Sequence, residues 1–393
     1  MSSPDVVVIG AGAVGAACAY FAARAGLRVR VLDRGEIAGG TSSACEGNLL
    51  VSDKEAGPEL DLALHSQRVW HDELAEFGPH WEFESKGGLV VSPSPIGAAA
   101  LAELTVRQRA AGIEVTNVDP ADIADYEPHL KPGMAGAAFY PQDAQVQPML
   151  LTAHLLRLAR ELGAVVSTGT EVTGFEVSGG RMLGVRTARA DGLISAGHVI
   201  NAAGTWAGQI AALAGVQLPV LPRRGFVLVT EPLPPTVRHK VYAADYVAAV
   251  ASSDQALQTS PVIEGTRGGT VLIGSSRERV GFDSRVSLPV LSRLAQEAIA
   301  LFPVLAGVRV LRSYHGFRPY CPDHLPVIGA DPRVSRLWHA TGHEGAGIGL
   351  SVGTAKLLVQ QLVGAPTDLD LAPFSPGRFT PHQLTQRGAH ALA

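Results

Sequence analysis

Three glycines near the start of the chain, followed at a distance by a carboxylate, have the spacing of a dinucleotide-binding site. Gly10, Gly12 and Gly15 match the pattern G-x-G-x-x-G. The first glycine permits a tight turn, the second lets a pyrophosphate approach the backbone, and the third lets the next helix pack closely on the strand. Asp33 stands where a carboxylate accepts hydrogen bonds from ribose hydroxyls, and Arg34 follows it. These residues predict binding of a cofactor that contains ADP.

The elements that must position these residues can be recognised around the motif. Val6–Ile9 is a β-branched run typical of a buried parallel strand, and it leads directly into the glycines. Residues 16–25 are predicted to form the following helix, whose N-terminal N–H groups face the phosphates, and Gly26 closes it. A second strand is predicted over residues 27–32, ending at Asp33. Together these signals indicate one Rossmann unit.

The Rossmann unit by itself does not distinguish NAD from FAD, because both cofactors present an ADP moiety to it. A loop of small and hydroxylated residues, 39–48, comes just after the unit and suits a cofactor that continues beyond its pyrophosphate. A plain surface loop is the alternative interpretation. The candidate cofactor contacts in this loop are Thr41, Ser42, Ser43, Glu46, Gly47 and Asn48.

Further along the chain, strands and helices alternate with turn signals. A helix is predicted over residues 149–162, a hairpin around residues 178–180, and a buried strand ending in small residues over 198–206. Strand signals bounded by Pro and Gly recur at 226–230 and 270–274. An apolar helix is predicted to begin near Gly347 and to end near Leu362.

Composition limits the classes of protein that fit. A chain of 393 residues predicts two or more lobes, and 44 Gly with 26 Pro predict a many-stranded α/β protein. The formal net charge is -4 and like charges do not cluster, which argues against a nucleic-acid partner. The three cysteines lack the spacing of a metal site, so we expect no metal and a reduced, cytoplasmic setting. No apolar stretch is long enough to span a bilayer.

Taken together, these blocks resemble the D-amino acid oxidase-like superfamily of FAD enzymes, which includes glycine and sarcosine oxidases and D-amino acid dehydrogenases. The resemblance spans nearly the whole chain. Segments 46–54 and 343–349 are most similar to the flavin subunits of opine and D-hydroxyproline dehydrogenases. The resemblance implies FAD as the cofactor. It also implies oxidation of the C–N bond of a small amino or imino acid by hydride transfer to flavin N5.

The family plan implies an α/β fold in which a Rossmann-type FAD-binding domain is joined to a substrate domain built on a mostly antiparallel sheet. The FAD-binding domain is expected to comprise 1–80, 146–220 and 319–375. The substrate domain is expected to comprise 81–145 and 221–318. Residues 376–393 show little periodicity and are predicted to form a tail.

The same plan extends the set of cofactor contacts beyond the Rossmann unit. A helix that begins near Gly347 would point its N–H groups at the pyrimidine end of the flavin and stabilise negative charge on the reduced ring. Tight helix packing is the alternative role of these glycines. The implied contacts are Val172, Ala203, Gly204, Trp206, Gly345, Gly347 and Ile348.

For the substrate, the resemblance points first to an arginine. Arg318 occupies the place of the carboxylate-binding arginine in the family motif G-[LF]-R-P, and its planar fork suits a carboxylate. Tyr246 and Tyr242 are weaker candidates, for which core packing is an equal alternative. His343 and Glu344 lie beside the expected flavin edge, where Glu344 replaces an apolar or basic residue of related enzymes and is a candidate for holding a substrate amine.

Alternatives remain open at this stage. An NAD-dependent dehydrogenase would use the Rossmann unit but would not explain the C-terminal glycines. A flavin-carrying subunit of a heteromeric complex, with the electron acceptor on a partner chain, fits the opine-like resemblance. Cys321 is not at the position of the flavin-linking cysteine of sarcosine oxidases, so covalent attachment is not expected. Leu272 stands where those oxidases carry an oxygen-activating lysine, which favours a dehydrogenase.

Overall fold

The computed structural model describes residues 3–188, 192–244 and 254–379 of the chain. The predicted substrate contact Tyr246 lies outside these residues. In chain order, the strands of the described residues are β1 (Val6–Ile9), β2 (Val29–Leu32), β3 (Asn48–Leu49), β4 (Gly88–Ser92), β5 (Thr116–Val118), β6 (Gly136–Tyr140), β7 (Ala144–Gln145), β8 (Val165–Ser167), β9 (Val172–Ser178), β10 (Arg181–Thr187), β11 (Leu193–Ser195), β12 (His198–Asn201), β13 (Leu221–Thr230), β14 (Lys240–Ala243), β15 (Gln258–Gly265), β16 (Val271–Arg277), β17 (Val310–Tyr320), β18 (Val327–Ala330) and β19 (Leu337–Thr341).

The helices alternate with these strands and several begin at a proline, which is already suited to the first helical turn. Within the described residues they are α1 (Ala13–Arg24), α2 (Pro58–Arg68), α3 (Pro95–Ala110), α4 (Ile123–Tyr126), α5 (Pro148–Glu161), α6 (Ala207–Leu213), α7 (Leu288–Leu301) and α8 (Gly347–Leu362).

A six-stranded sheet carries the Rossmann unit. Its order is β18-β19-β12-β1-β2-β8, and all neighbours are parallel except β18, which runs antiparallel to β19. Strand β1 is fully buried, as expected of a parallel strand covered on both faces. Helix α1 is alanine-rich and nearly all of it is buried, which allows α5 and α8 to pack closely against it. This packing fixes the N-terminus of α1 at the ends of β1 and β2.

An eight-stranded sheet forms the second half of the molecule. Its order is β17-β13-β16-β15-β14-β4-β6-β5, and every pairing is antiparallel except that of β14 with β4. Helix α7 packs on β13, β15 and β16, around a core that includes Phe226, Ile273 and Leu294. A separate three-stranded sheet, β11-β10-β9, contains the predicted hairpin at residues 178–180.

Most predicted elements agree with the structure except at their ends. The strand predicted over 198–206 stops at Asn201, and Gly204–Trp206 form a 3-10 helix instead. Helix α1 begins three residues earlier than predicted, and the second strand begins at Val29 instead of residue 27. Gly26 has φ +83°, a left-handed conformation that ends the helix. Helix α8 begins at Gly347 and ends at Leu362, as predicted. The α/β fold class with a mostly antiparallel second sheet is confirmed.

The strands follow the predicted division of the chain. Those of the six-stranded sheet all lie in 1–80, 146–220 or 319–375, and those of the eight-stranded sheet begin within 81–145 or 221–318. The domain boundaries themselves stay a prediction.

Up to residue 379 the segment predicted as a tail is part of the fold, because Phe379 is buried and Arg378 pairs with Asp323 at 2.7 Å. In the parts of the chain that the structure describes, we find no helix that has both the length and the apolar character needed to cross a membrane.

Candidate active site

A cavity of about 690 Å³ is lined by residues of both sheets. Gly10 and Asp33 line it from the ends of β1 and β2, while Val227 and Arg318 line it from β13 and β17. We call the part beside Gly10 and Asp33 the ADP end, and the part beside Val227 and Arg318 the sheet end. The cavity therefore joins the Rossmann unit to the antiparallel sheet.

Close backbone packing shapes the ADP end. Gly10 has φ +111°, and a Cβ there would lie 2.5 Å from the Ala202 carbonyl oxygen. A Cβ at Gly15 would overlap the carbonyl oxygen of Gly10. The Asp33 carboxylate accepts hydrogen bonds from the N–H groups of Ala11 and Gly35, both at 2.7 Å. The turn, the helix and the carboxylate are thus locked together, as the motif predicts.

Hydroxylated residues cover the middle of the cavity. The Ser42 hydroxyl accepts a hydrogen bond from the N–H of Ala13 at 2.9 Å, at the N-terminus of α1. The hydroxyls of Thr41 and Thr205 both donate to the carbonyl of Phe317, at 2.7 and 2.5 Å. The Thr41 bond ties the loop after the Rossmann unit to strand β17, and the Thr205 bond ties the turn after β12 to the same strand. The loop is thereby part of the cavity wall and not a plain surface loop.

Arg318 is held at the sheet end by its neighbours on two strands. Its Nη1 donates to the carbonyl of Ser276 on β16 at 2.8 Å. A Cβ at Gly225, on the paired strand β13, would overlap this guanidinium nitrogen, so only glycine leaves room for it. Gly316 similarly lets Ala44 approach, since a Cβ there would lie 2.7 Å from the Ala44 methyl group. The arginine is half-buried and positioned before any substrate binds.

The start of α8 brings two further predicted residues to the cavity. His343 is buried, and its Nε2 lies 2.9 Å from the Thr354 hydroxyl on the second turn of α8. Burial lowers the pKa of His343 to about 3, which keeps the imidazole neutral at physiological pH. A neutral histidine hydrogen-bonded to the helix orders the loop before α8 and carries no charge to a substrate.

Glu344 is engaged by two basic side chains. Its Oε1 lies 2.5 Å from Arg223 Nη1, and its Oε2 lies 3.0 Å from His324 Nδ1. Burial raises the pKa of Glu344, but the hydrogen bond from His324 and the Arg223 charge outweigh it and lower the pKa overall. Both carboxylate oxygens already have partners, so the prediction that Glu344 holds a substrate amine finds no support in the geometry.

Nearly all predicted site residues of the described chain line this one cavity. The exceptions are Gly15, which lies beneath the turn, and Ser43, whose hydroxyl donates to the Gly40 carbonyl. Tyr242 is a core residue that donates to Ser52. The predicted residues that line the cavity are Gly10, Gly12, Asp33, Arg34, Thr41, Ser42, Glu46, Gly47, Asn48, Val172, Ala203, Gly204, Trp206, Arg318, His343, Glu344, Gly345, Gly347 and Ile348.

A second cavity of about 710 Å³ adjoins the first at Arg318, His343 and Glu344. Three of its acidic residues, Asp53, Glu59 and Asp323, are paired with basic ones. Lys54 Nζ lies 2.8 Å from Asp53 and 3.3 Å from Glu59, while Asp323 pairs with Arg378. Because Arg318 is common to both cavities, the second one offers space for a small acid next to the first.

Four residues that were not predicted support the predicted site residues. Arg223 and His324 fix Glu344, and Gly225 and Gly274 leave room for Arg318 and Glu46. A glycine inside a strand marks a close approach of another group, so the two strand glycines carried a readable signal. Arg223 and His324 gave no such signal in the sequence, because their partner Glu344 is distant from them along the chain.

The cavity residues fit FAD on two observations. Glycines at Gly10 and Gly12 line the N-terminus of α1, where N–H groups favour a pyrophosphate. At the sheet end, Glu46 Oε1 and Asn48 Oδ1 are buried acceptors with no hydrogen-bond partner in the described part of the chain. A cofactor that extends from one end to the other would meet both sets of groups. The fold and the cavity thus define a dinucleotide-dependent oxidoreductase whose cofactor cavity is lined by two sheets.

Comparison with known proteins identifies the family. The family model described as DAO, FAD dependent oxidoreductase, matches residues 5–361. The chain is 30% identical over 419 residues to the hydrogen cyanide synthase subunit HcnC of Pseudomonas aeruginosa, covering 96% of each chain. The protein belongs to this family of FAD-dependent oxidoreductases.

Solved structures agree with this assignment. The crystal structure of glycine oxidase from Geobacillus kaustophilus is similar with a TM-score of 0.86 and 28% identity, covering 96% of this chain and all of that one (100%). L-proline dehydrogenase from P. horikoshii shares the fold with a TM-score of 0.86 at 22% identity, covering 96% of this chain and 98% of that one. The prediction of FAD as the cofactor is confirmed.

Proposed function

We propose that the protein oxidises the C–N bond of a small amino or imino acid to an imine. The observation that carries this proposal is the position of Arg318 between the two cavities, held by Ser276 and given room by Gly225. A preorganised guanidinium binds a carboxylate through two parallel hydrogen bonds. The similarity to glycine oxidase, whose name states an amino-acid substrate, supports the same class.

The residues of the site orient the substrate and leave the redox chemistry to the cofactor. FAD, when bound, accepts a hydride equivalent at flavin N5. Arg318 fixes the carboxylate and thereby directs the α-carbon toward the cavity at the sheet end. His343 is neutral and bonded to Thr354, and Glu344 is bonded to Arg223 and His324, so neither is placed to take a proton. The substrate amine therefore enters as the free base.

Helix α8 provides the electrostatic part of the mechanism. It begins at Gly347 on the cavity wall, with Ala346 as its first flanking residue and no side-chain cap. Its N-terminal N–H groups are consequently available to a negative charge in the cavity. When FAD is bound, the helix N-terminus would stabilise the negative charge that the reduced flavin carries.

For the substrate itself, we propose D-amino acids or cyclic secondary amines such as D-proline or D-hydroxyproline. The resemblance of segments 46–54 and 343–349 to the opine and D-hydroxyproline branch supports this choice. The second cavity, which adjoins Arg318, has room for a side chain or ring. Leu272 at the place of the oxygen-activating lysine favours a dehydrogenase over an oxidase.

A second candidate is a flavin-carrying subunit of a heteromeric dehydrogenase. The similarity to HcnC, which is named as a subunit of hydrogen cyanide synthase, favours it. In that case the electron acceptor lies on a partner chain. Copurification of a stoichiometric partner with the tagged chain from its own host would support this candidate, and full activity of the isolated chain with a physiological acceptor would exclude it.

The experiment that tests the main proposal is an anaerobic visible spectrum of the FAD-loaded protein before and after addition of amines. The panel comprises D-amino acids, D-proline, D-hydroxyproline, glycine, sarcosine and opines, with the matching hydroxy acids as controls. We expect one amine to bleach the flavin band and the hydroxy acids to leave it unchanged. Reoxidation in air would identify an oxidase. Bleaching by a hydroxy acid and by no amine would overturn the proposed reaction.

A further inference from the structure

Glu46 is a buried carboxylate on the wall of the FAD cavity. It is 8% exposed, and its Oε1 has no hydrogen-bond partner among the residues that the structure describes. Its other oxygen, Oε2, lies 3.5 Å from Asn48 Nδ2, at the limit of a hydrogen bond. Leaving a carboxylate oxygen buried without a donor costs free energy. A buried carboxylate such as Glu46, with one oxygen lacking a donor, lowers the stability of the fold, so we expect it to have a role in function that offsets this cost.

The surrounding backbone is built to accept this side chain. A Cβ at Gly274, in the middle of β16, would overlap Glu46 Oε1, so the strand has a glycine where the carboxylate approaches. Gly47, the next residue, has φ +90°, and a Cβ there would overlap the Val146 carbonyl oxygen. The Gly47 conformation fixes the backbone next to Glu46, and Gly274 leaves room for the Glu46 carboxylate beside β16. Its position is determined by the fold and not by a mobile surface loop.

Glu46 lies at the sheet end of the cavity and not at the ADP end. Its contact with Gly274 places it beside the same strand whose Ser276 carbonyl holds Arg318. The ADP moiety binds at the opposite end, where Gly10 and Asp33 lie. FAD extends from its ADP portion to the isoalloxazine ring, so the ring is the part of the cofactor that reaches Glu46.

Reduction of flavin by two electrons and one proton leaves one negative charge on the ring. Arg318 and the N-terminus of α8 favour that charge, while a carboxylate at the same end disfavours it. We propose that Glu46 lowers the reduction potential of the bound FAD and so sets how readily the reduced cofactor passes its electrons on. The proposal rests on FAD binding alone and does not depend on which amine is the substrate.

The test compares two substitutions of the same type. Glu46→Gln removes the charge at the sheet end, whereas Glu36→Gln removes an exposed glutamate that lines the cavity close to Asp33. The midpoint potential of each FAD-loaded full-length protein is measured anaerobically against reference dyes, without substrate. We expect Glu46→Gln to raise the reduction equilibrium constant about tenfold, which is about 30 mV for a two-electron couple. Glu36→Gln should leave the potential at the wild-type value.

A charge-conserving variant separates charge from shape. Glu46→Asp should keep the potential closer to wild type than to Glu46→Gln. An unchanged potential in Glu46→Gln, with or without an altered KM for the amine, would overturn the proposal and make Glu46 a substrate or packing residue. If Glu46→Gln and Glu46→Ala both fail to retain FAD while Glu46→Asp retains it, the carboxylate holds the cofactor and the proposal is likewise wrong.

Discussion

The two ends of the FAD cavity are built in opposite ways. At the ADP end, Gly10, Gly15 and Asp33 belong to one continuous segment, and their contacts are to backbone groups. At the sheet end, Arg318 and Glu46 meet strands from distant parts of the chain. The Arg318 side chain donates to the Ser276 carbonyl, and Gly225 and Gly274 leave room for the two side chains. Steric contacts of the backbone therefore fix the shape of the ADP end, while single side chains can change the reactivity of the sheet end.

This difference predicts that steric changes at the ADP end prevent the formation of folded, FAD-containing protein. Charge changes at the sheet end should instead alter the reactivity of the site. The largest effect is expected for Gly15→Val. The new side chain would overlap the Gly10 carbonyl oxygen, which belongs to the backbone and cannot move aside. We expect loss of soluble, FAD-containing protein, measured as the ratio of flavin to protein absorbance. Gly35→Ala is the control, because its Cβ would meet Asp33 at an ordinary 3.7 Å. Normal flavin content in Gly15→Val would contradict the steric account.

The stability of the fold should respond to pH through a buried carboxylate. Asp143 is buried and accepts hydrogen bonds from Ser52 and from the Val51 N–H, and burial raises its pKa to about 6 from an ordinary 3.8. Because the folded-state pKa is the higher one, its contribution to stability is complete below pH 4 and is lost as the pH rises through 6. The loss amounts to about 3 kcal/mol at most.

Thermal unfolding of the wild type and of Asp143→Asn, between pH 4.5 and 7.5, checks this expectation. The advantage of the wild type over the variant should shrink as the pH rises, since the asparagine does not ionise. A constant difference in Tm across that range would show that the folded-state pKa of Asp143 is not raised.

At the sheet end, Arg318→Leu should impair catalysis and spare the cofactor. Loss of a charged hydrogen bond to the substrate carboxylate corresponds to about 1.5–3 kcal/mol, or roughly a 10- to 150-fold fall in kcat/KM. Steady-state kinetics with the bleaching amine measure it. Arg312→Leu, an exposed arginine on the same strand, is the control and should retain full activity. Wild-type kcat/KM in Arg318→Leu would remove the arginine from the substrate site.

The smallest effect is expected at the ADP end from a change of charge alone. Asp33→Asn keeps an acceptor for one of the two N–H groups, that of Ala11 or that of Gly35, and loses the other hydrogen bond, a cost that the fold should survive. Weaker bonds to the ribose should raise the Kd for FAD about tenfold, or about 1.4 kcal/mol. Titration of the apoprotein with FAD measures the Kd. The midpoint potential should stay at the wild-type value. A shift in the potential would contradict the conclusion that only charges at the sheet end affect it.

Much of the ADP end could be predicted from the sequence because its signals are local. Strand β1, the glycine turn, helix α1 and Asp33 follow one another directly, so their spacing alone indicates the geometry. Helix α8 was predicted with its correct bounds because its start is marked by glycines and its interior is apolar. Arg378 and Phe379 are held in the fold by partners far away in the sequence, which the local pattern of the predicted tail does not indicate.

The role of Glu344 shows why the rest could not be predicted. Its residue type suggested a contact to an amine, but the tertiary structure gives both of its oxygens to Arg223 and His324. Glu46 shows the opposite case, in which a loop residue is buried because Gly274 lies beneath it. Neither partner can be recognised from the sequence near the glutamate.

By itself, the sequence indicated the Rossmann unit through residues close together in the chain and the FAD family through motifs spread along it. One motif led to the prediction that Arg318 binds a carboxylate. Only the tertiary structure decided which charged groups at the sheet end are paired and which face the cavity. The physical reason is that a charge acts through its surroundings, and those surroundings come from strands that the fold brings together from separate parts of the chain.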